Sequence, residues 1–351
     1  MLTTIGRLAT LAVLVSSVTG MCPERCVCSD ETRVSVICDR SGLVVLPHTL
    51  HPSLELLVVR NNNITQVDSA FFHFATELVE ADLSGNGFQR VQENSWELNS
   101  RLGRLNLAEN EIREIPDLRG LDSLTRLNLS HNRLQTLPGD VVTTGLEELD
   151  LAGNQVRALP ALPSSLKVLD LSGNQISSVF SVLAQSDLPH LTSLDLSGNP
   201  LASLPPPPPL PSLLRLSLAN TGLSSVPGPA LLEVGRGRGG LRHLDLSHNQ
   251  LTVVGPHHLA GLQHLLSLQL SHNPSLTSIQ PGGLASLASL EQLNIAGGNL
   301  TTLSLLPPSV QAVRAERNPW LCDCNIAELH QVTQWTTPIG PDPSRYCALI
   351  G

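Results

Sequence analysis

The sequence predicts an α/β-type solenoid, a horseshoe with a parallel sheet on its concave side and mainly turns, extended segments and short helices on its convex side. Three observations carry this. An apolar frame around a fixed asparagine position recurs through Asn62, Asn86, Asn110, Asn132, Asn154, Asn174, Asn199, Thr221, Asn249, Asn273, Gly298 and Asn318, at spacings of 20 to 28 residues. Each copy holds two apolar residues around one outward residue, the period-two alternation of a short half-buried strand. All seven cysteines lie at the two ends, none within the repeats. A unit this short buries no core alone, so successive copies stack into one array.

Residues 1–20 carry Arg7, then the apolar run LATLAVLVSSV, then Val18-Thr19-Gly20, small where a signal peptidase inspects. This reads as a cleaved signal peptide. Residues 21–53 read as a cysteine-rich N-terminal cap, and 54–317 as the array of about eleven to twelve repeats. Residues 318–351 read as a C-terminal cysteine-rich cap that is incomplete. Caps are needed because a terminal repeat has no neighbour to cover its apolar face. The spacing Cys-x-Cys at Cys26 to Cys28 and at Cys322 to Cys324 is short for structural zinc, and an export signal favours disulfides instead.

The unit is clearest in LTRLNLSHNRLQTLP, where Leu124, Leu127, Leu129, Leu134 and Leu137 face the core and Asn132 sits between them. The amide of this asparagine both donates and accepts, so it is expected to satisfy backbone groups of its own turn and of the next one. Most intervals are too short for a long helix, and prolines such as Pro205 to Pro209 predict extended convex spacers. The longest interval, 28 residues between Thr221 and Asn249, contains Gly235 to Gly240 (GRGRGG), and those extra residues are expected to bulge out as a mobile loop, with Arg236 and Arg238 solvated. Thr221 and Gly298 break the asparagine frame and are expected to be locally irregular.

Composition excludes several functions. A net charge of −9 provides no basic field for nucleic acid or an anionic membrane. Beyond the first 20 residues no segment holds the roughly 18 consecutive apolar residues of a membrane span. No nucleophile, acid–base pair, metal cluster or cofactor motif emerges, so neither an enzyme nor a cofactor is expected. The histidines near the asparagine position, His131, His248 and His272, together with His243, read as solvated.

The pattern L-x-x-L-x-L-x-x-N-x-L at this period is the leucine-rich repeat signature. With the C-x-x-x-C-x-C…C arrangement of Cys22 to Cys38 and the N-P-W-x-C-x-C of Asn318 to Cys324, the chain resembles the extracellular leucine-rich repeat proteins with cysteine-rich caps, among them Tsukushi, Slit and Toll-type ectodomains. The resemblance covers nearly all of the sequence after residue 20. It implies disulfides Cys22–Cys28, Cys26–Cys38 and Cys322–Cys347, and leaves Cys324 without its family partner. Either the chain is a fragment of a longer protein, or Cys324 is free to link two copies as a dimer.

The resemblance and the open sheet both point to binding. About twelve strands at roughly 4.8 Å make a concave face on the order of 50 Å long, suited to a folded protein. The outward positions include Asp150, Asp170, Asp195 and Asp245, with Arg104, Arg126 and Arg215 on the adjoining row as anchors. An acidic face of this kind predicts an electrostatically steered contact with a basic region of an extracellular protein ligand or receptor ectodomain. The expected function is that of a secreted binding protein that modulates signalling. The alternatives are a matrix or adhesion ectodomain lacking its anchor in this chain, and an inhibitor of a secreted enzyme such as a phospholipase. Asn63, Asn128 and Asn299 begin glycosylation sequons, and a glycan on Asn128 would obstruct the N-terminal half of the face.

Overall fold

A computed structural model describes residues 22–30, 33–47, 50–66, 69–92, 94–115, 117–137, 145–178, 183, 186–201, 203–204, 206–207, 209–237, 239–303, 306–321 and 334–335. The strands are β1 (Val27–Ser29), β2 (Ser35–Ile37), β3 (Leu56–Val58), β4 (Glu80–Asp82), β5 (Arg104–Asn106), β6 (Arg126–Asn128), β7 (Glu148–Asp150), β8 (Val168–Asp170) and β9 (Ser193–Asp195). They continue with β10 (Arg215–Ser217), β11 (His243–Asp245), β12 (Val253–Val254), β13 (Ser267–Gln269), β14 (Ser278–Ile279), β15 (Gln292–Asn294), β16 (Ala312–Arg314) and β17 (Gln334–Trp335). Fifteen of them form one sheet in chain order, all but β12 and β14, which pair with each other in a separate two-stranded sheet. The first pairing, β1 with β2, is antiparallel, and every later one is parallel because each repeat runs the same way round the coil.

Each repeat strand is three residues long, with its middle residue buried and its outer two facing the open side. The buried leucines form one continuous column, in which Leu127, Leu149, Leu169 and Leu194 are adjacent in register and no more than 3% exposed. Full burial of each leucine side chain contributes roughly 1.5–3 kcal/mol, so the column is the main source of cohesion. Among the described residues the convex side adds the helices α1 (Ser69–Phe74) and α2 (Gly228–Gly235). Phe72, on α1, packs on Trp96 with ring centroids 4.2 Å apart. Around the proline run, Ser203, Pro206 and Pro209 are exposed, Leu204 and Pro207 half-buried, and Leu210 buried. That three-residue rhythm is the one an extended polyproline spacer produces.

The asparagine ladder corrects one expectation. Asn132 Nδ2 donates to the carbonyls of Leu129 and Ser130 in its own turn and to Leu107 of the preceding repeat, while its Oδ1 accepts from Ile112 N–H at 3.0 Å. The bridge thus runs to the preceding turn and not to the next. Asn110, Asn154, Asn174 and Asn249 repeat this pattern. At the two exceptions the irregularity is confined to the ladder. Thr221 Oγ1 donates to Leu218 O at 2.9 Å in place of an amide, and the strand register on both sides is unbroken. At Gly298 an added Cβ would lie 2.9 Å from Asn318 Oδ1, so the missing side chain makes room for the next rung.

The insertion is a second correction. Gly235, the first residue of the segment expected to bulge as a mobile loop, instead ends the helix α2, and Arg236 closes it with a 2.7 Å ion pair to Glu233. The glycines that suggested mobility serve close packing instead. A Cβ on Gly235 would sit 2.9 Å from Gly261 O, and one on Gly237 would sit 2.7 Å from Pro211 O. Arg238 lies outside the described residues.

Two disulfides join Cys22 to Cys28 and Cys26 to Cys38, as the resemblance implied. The signal-peptide residues, Cys322, Cys324 and Cys347 lie outside the described residues. Among the described residues no helix is long and apolar enough to cross a membrane.

Candidate functional site

The open face of the sheet presents two rows of side chains, one from the first and one from the third residue of each strand. In the third-residue row the register aligns Asn106, Asn128, Asp150, Asp170, Asp195, Ser217, Asp245, Gln269 and Asn294. The four site aspartates named from the sequence therefore lie in one line, all half-buried, with Ser217 between Asp195 and Asp245.

These aspartates also have a structural duty that sequence reasoning missed. Each accepts, through one carboxylate oxygen, the backbone N–H two residues on: Ala152 to Asp150 at 3.0 Å, Ser172 to Asp170 at 2.9 Å, Ser197 to Asp195 and Ser247 to Asp245 at 2.8 Å. Asn106 and Asn128 do the same with their amide oxygens. This Asx-type turn ends the strand and starts the bend. The D-x-S and N-x-S spacing could have signalled it. Among the described residues no other backbone N–H donates to these four carboxylates.

Crowding of like charge has an electrostatic consequence. Asp170 is flanked in register by Asp150 and Asp195, and its pKa is raised above the ordinary carboxylate value, first by burial and then by those two neighbours, against the lowering effect of Ser172. A carboxylate among packed strands with two anions beside it thus loses hydration even on an open face.

The first-residue row orders Glu80, Arg104, Arg126, Glu148, Val168, Ser193, Arg215, His243, Ser267 and Gln292. Arg126 lies 3.1 Å from Glu148 and Arg104 lies 3.7 Å from Glu80. Arg126 is thus paired within the sheet, while Arg104 shares Glu80 with Arg33, which lies closer at 3.2 Å. Arg215 differs: its register neighbours are Ser193 and His243, and among the described residues its guanidinium has no ion pair or hydrogen bond. The sheet brings Arg215 into the same hollow as Asp195 and Asp245, a space of about 340 Å³ that Ser217, His243 and Gln269 help to line.

The histidines separate into two environments. His243 faces the open side, and its pKa is lowered first by burial and then by Arg215 and Arg242. His131, His248 and His272 stand immediately before the ladder asparagine with φ of 53° to 56°. The same left-handed turn position is filled elsewhere by Gly85, Gly153, Gly173, Gly198 and Gly297 and by Asn61, Glu109, Asn220 and Arg317. His248 and His272 stack with ring centroids 4.4 Å apart. They are exposed, and among the described residues no group of three or more metal-ligating side chains exists.

Of the sequons, Asn63 and Asn299 are exposed beside the turns. Asn128 lies on the open face between Asn106 and Asp150, with its Oδ1 accepting from Ser130 N–H at 2.9 Å and Ser130 Oγ–H at 2.7 Å.

Comparisons with known proteins agree with this architecture. The family described as leucine rich repeat matches residues 76–134 and 239–300, and that of paired leucine rich repeats matches 122–164 and 164–209. Vasorin of Homo sapiens is 34% identical over 148 residues, 40% of this chain and 21% of that protein. Trophoblast glycoprotein of Macaca fascicularis is 32% identical over 40% of this chain and 39% of its own. Tsukushi of Gallus gallus is 32% identical over 38% and 36%. The matched part thus spans less than half the length of each of these relatives. A solved leucine-rich repeat protein of Leptospira interrogans superposes with a TM-score of 0.61 over 83% of this chain and 80% of that one, at 24% identity, a likeness of fold. The chain belongs to the leucine-rich repeat family, and its disulfide-bonded first turn places it with the extracellular, cysteine-capped branch that its sequence resembles.

Proposed function

We propose that this protein is a secreted, non-enzymatic binding protein that captures an extracellular protein ligand or receptor ectodomain on its concave face and so modulates signalling. The observation that carries the reading is the in-register line Asp150, Asp170, Asp195, with Asp245 beyond Ser217, on an uninterrupted sheet. A line of half-buried carboxylates favours a basic surface and speeds its encounter. The kinship to Vasorin and Tsukushi supports an extracellular setting, and a sheet this open encloses no small metabolite.

On this reading Asn63, Asn128 and Asn299 carry glycans, and the one on Asn128 shifts partner contact toward β7 to β11. The test is a binding screen of the secreted chain against recombinant extracellular ligands and ectodomains, followed by the pair Asp170→Lys and Asp195→Lys. Binding should weaken by at least about tenfold, since each reversal turns an attraction into a repulsion. Full retention of binding by the charge-reversed chain would move the site off this face.

A further inference from the structure

Resting on that reading, we propose that Arg215 is the seat for a single carboxylate, an Asp or Glu side chain of the protein partner whose own sequence neighbours are cationic. Arg126, its counterpart on the same row, is held by Glu148 of the neighbouring strand, and Arg104 shares Glu80 with Arg33. Arg215 is exposed, and where they have Glu80 and Glu148 it has Ser193 and His243. It is thus the arginine of this row whose charge no side chain of the sheet cancels.

Two further features define the occupant. Burial, and after it the nearby Arg215 and Arg242, lower the pKa of His243, so the field of those two guanidinium groups is felt on the neighbouring strand with Asp195 and Asp245 close by. A carboxylate on Arg215 would be welcomed by that field and could also reach the hydroxyls of Ser193 and Ser217. The aspartates set the limit. Asp195 and Asp245 lie one strand to either side of Ser217, so they stand roughly 10 Å apart across Arg215. A polyanion laid along the sheet would run into both. A segment with one acidic residue between two basic ones meets an opposite charge at all three positions, and a wrong charge order meets repulsion.

The experiment is an NMR titration of the secreted chain with acetyl-Lys-Gly-Glu-Gly-Lys-amide, with its Glu-to-Gln counterpart, and with a heparin tetrasaccharide. The Glu peptide should bind about two- to fivefold more tightly than the Gln peptide, the range for a partly exposed ion pair. It should also move the His243 ring resonances. In Arg215→Gln the two peptides should become equal, and Arg215→Lys should restore part of the difference, which closes a double-mutant cycle on this contact. Equal affinity of the two peptides for the native chain would overturn the carboxylate seat and leave concave-face binding standing. Tighter binding of the tetrasaccharide, lost in Arg215→Gln, would overturn the choice of occupant. Failure of both peptides to bind would overturn the inference, with the broader reading then decided by the charge-reversal experiment above.

Discussion

Asn132 shows how much a single buried side chain does in this fold. It is 7% exposed, donates to three carbonyls and accepts one N–H across two repeats. In Asn132→Ala the carbonyls of Leu107, Leu129 and Ser130 keep Asn110 Nδ2, Asn154 Nδ2 and Glu109 N–H, but Ile112 N–H loses its acceptor in the interior, and an unsatisfied buried group costs about 1–3 kcal/mol. Urea denaturation should therefore show a loss of about 1–3 kcal/mol, while an Ala at the exposed Gln135 should change little. The turn position before it is equally restrictive. Gly153 has φ +64°, and an added Cβ would lie 2.6 Å from His131 Nδ1, so Gly153→Val should destabilise by about 1–3 kcal/mol on the same measurement. Asp170 works in the opposite sense. Its folded pKa is raised, so ionisation opposes folding, and the stability its protonated form contributes is present at low pH and lost as pH rises through the folded pKa. Asp170→Asn keeps an acceptor for Ser172 N–H and removes the charge. Its melting temperature should exceed that of the native chain at pH 7, and the gain should vanish below about pH 4, the ordinary aspartate range.

At the scale of elements, α2 and the turn after it are tied to their neighbours by glycine. Gly237 passes so close to Pro211 O that any side chain must push the segment away. Native protein should resist trypsin at Arg236, which ends the helix in an ion pair with Glu233. Gly237→Val should open that bond to cleavage, read by mass spectrometry of timed digests. Rapid cleavage of native protein at Arg236 would show that the packing is too weak to protect it. The strands behave differently, because three residues cannot hold themselves in place. Their register comes from the leucine column on one side and from the asparagine ladder at their ends, which is why Thr221 and Gly298 disturb a rung and leave the sheet continuous.

For the whole molecule, charge placement matters more than charge total. A net −9 spread along one coil is resolved by the sheet into lines: an acidic row from β7 to β11, and a mixed row in which Arg126 pairs with Glu148, Arg104 shares Glu80 with Arg33, and Arg215 has no carboxylate partner among the described residues. The glycan expected on Asn128 bears on the same surface. Asn128→Gln should leave partner affinity unchanged or raise it, measured on secreted protein with and without enzymatic deglycosylation. A loss of affinity would place the contact on the N-terminal half.

The sequence by itself determined the repeat, the parallel run of the repeat strands, the buried leucines and the ladder positions. These follow from nearest-neighbour periodicity, in which each residue's environment repeats at the next copy. It also brought forward the aspartates of the concave face. It did not show that each aspartate spends one oxygen closing its own turn, that α2 replaces a loop, or that the ladder reaches back to the preceding repeat. Nor did it separate Arg215 from Arg104 and Arg126, since all three stand in the same R-L-x frame. Only stacking decided those points. Which carboxylate faces which arginine depends on the register between strands that are 20 to 28 residues apart in sequence, and the short-range pattern of one repeat carries no information about its neighbour's charge.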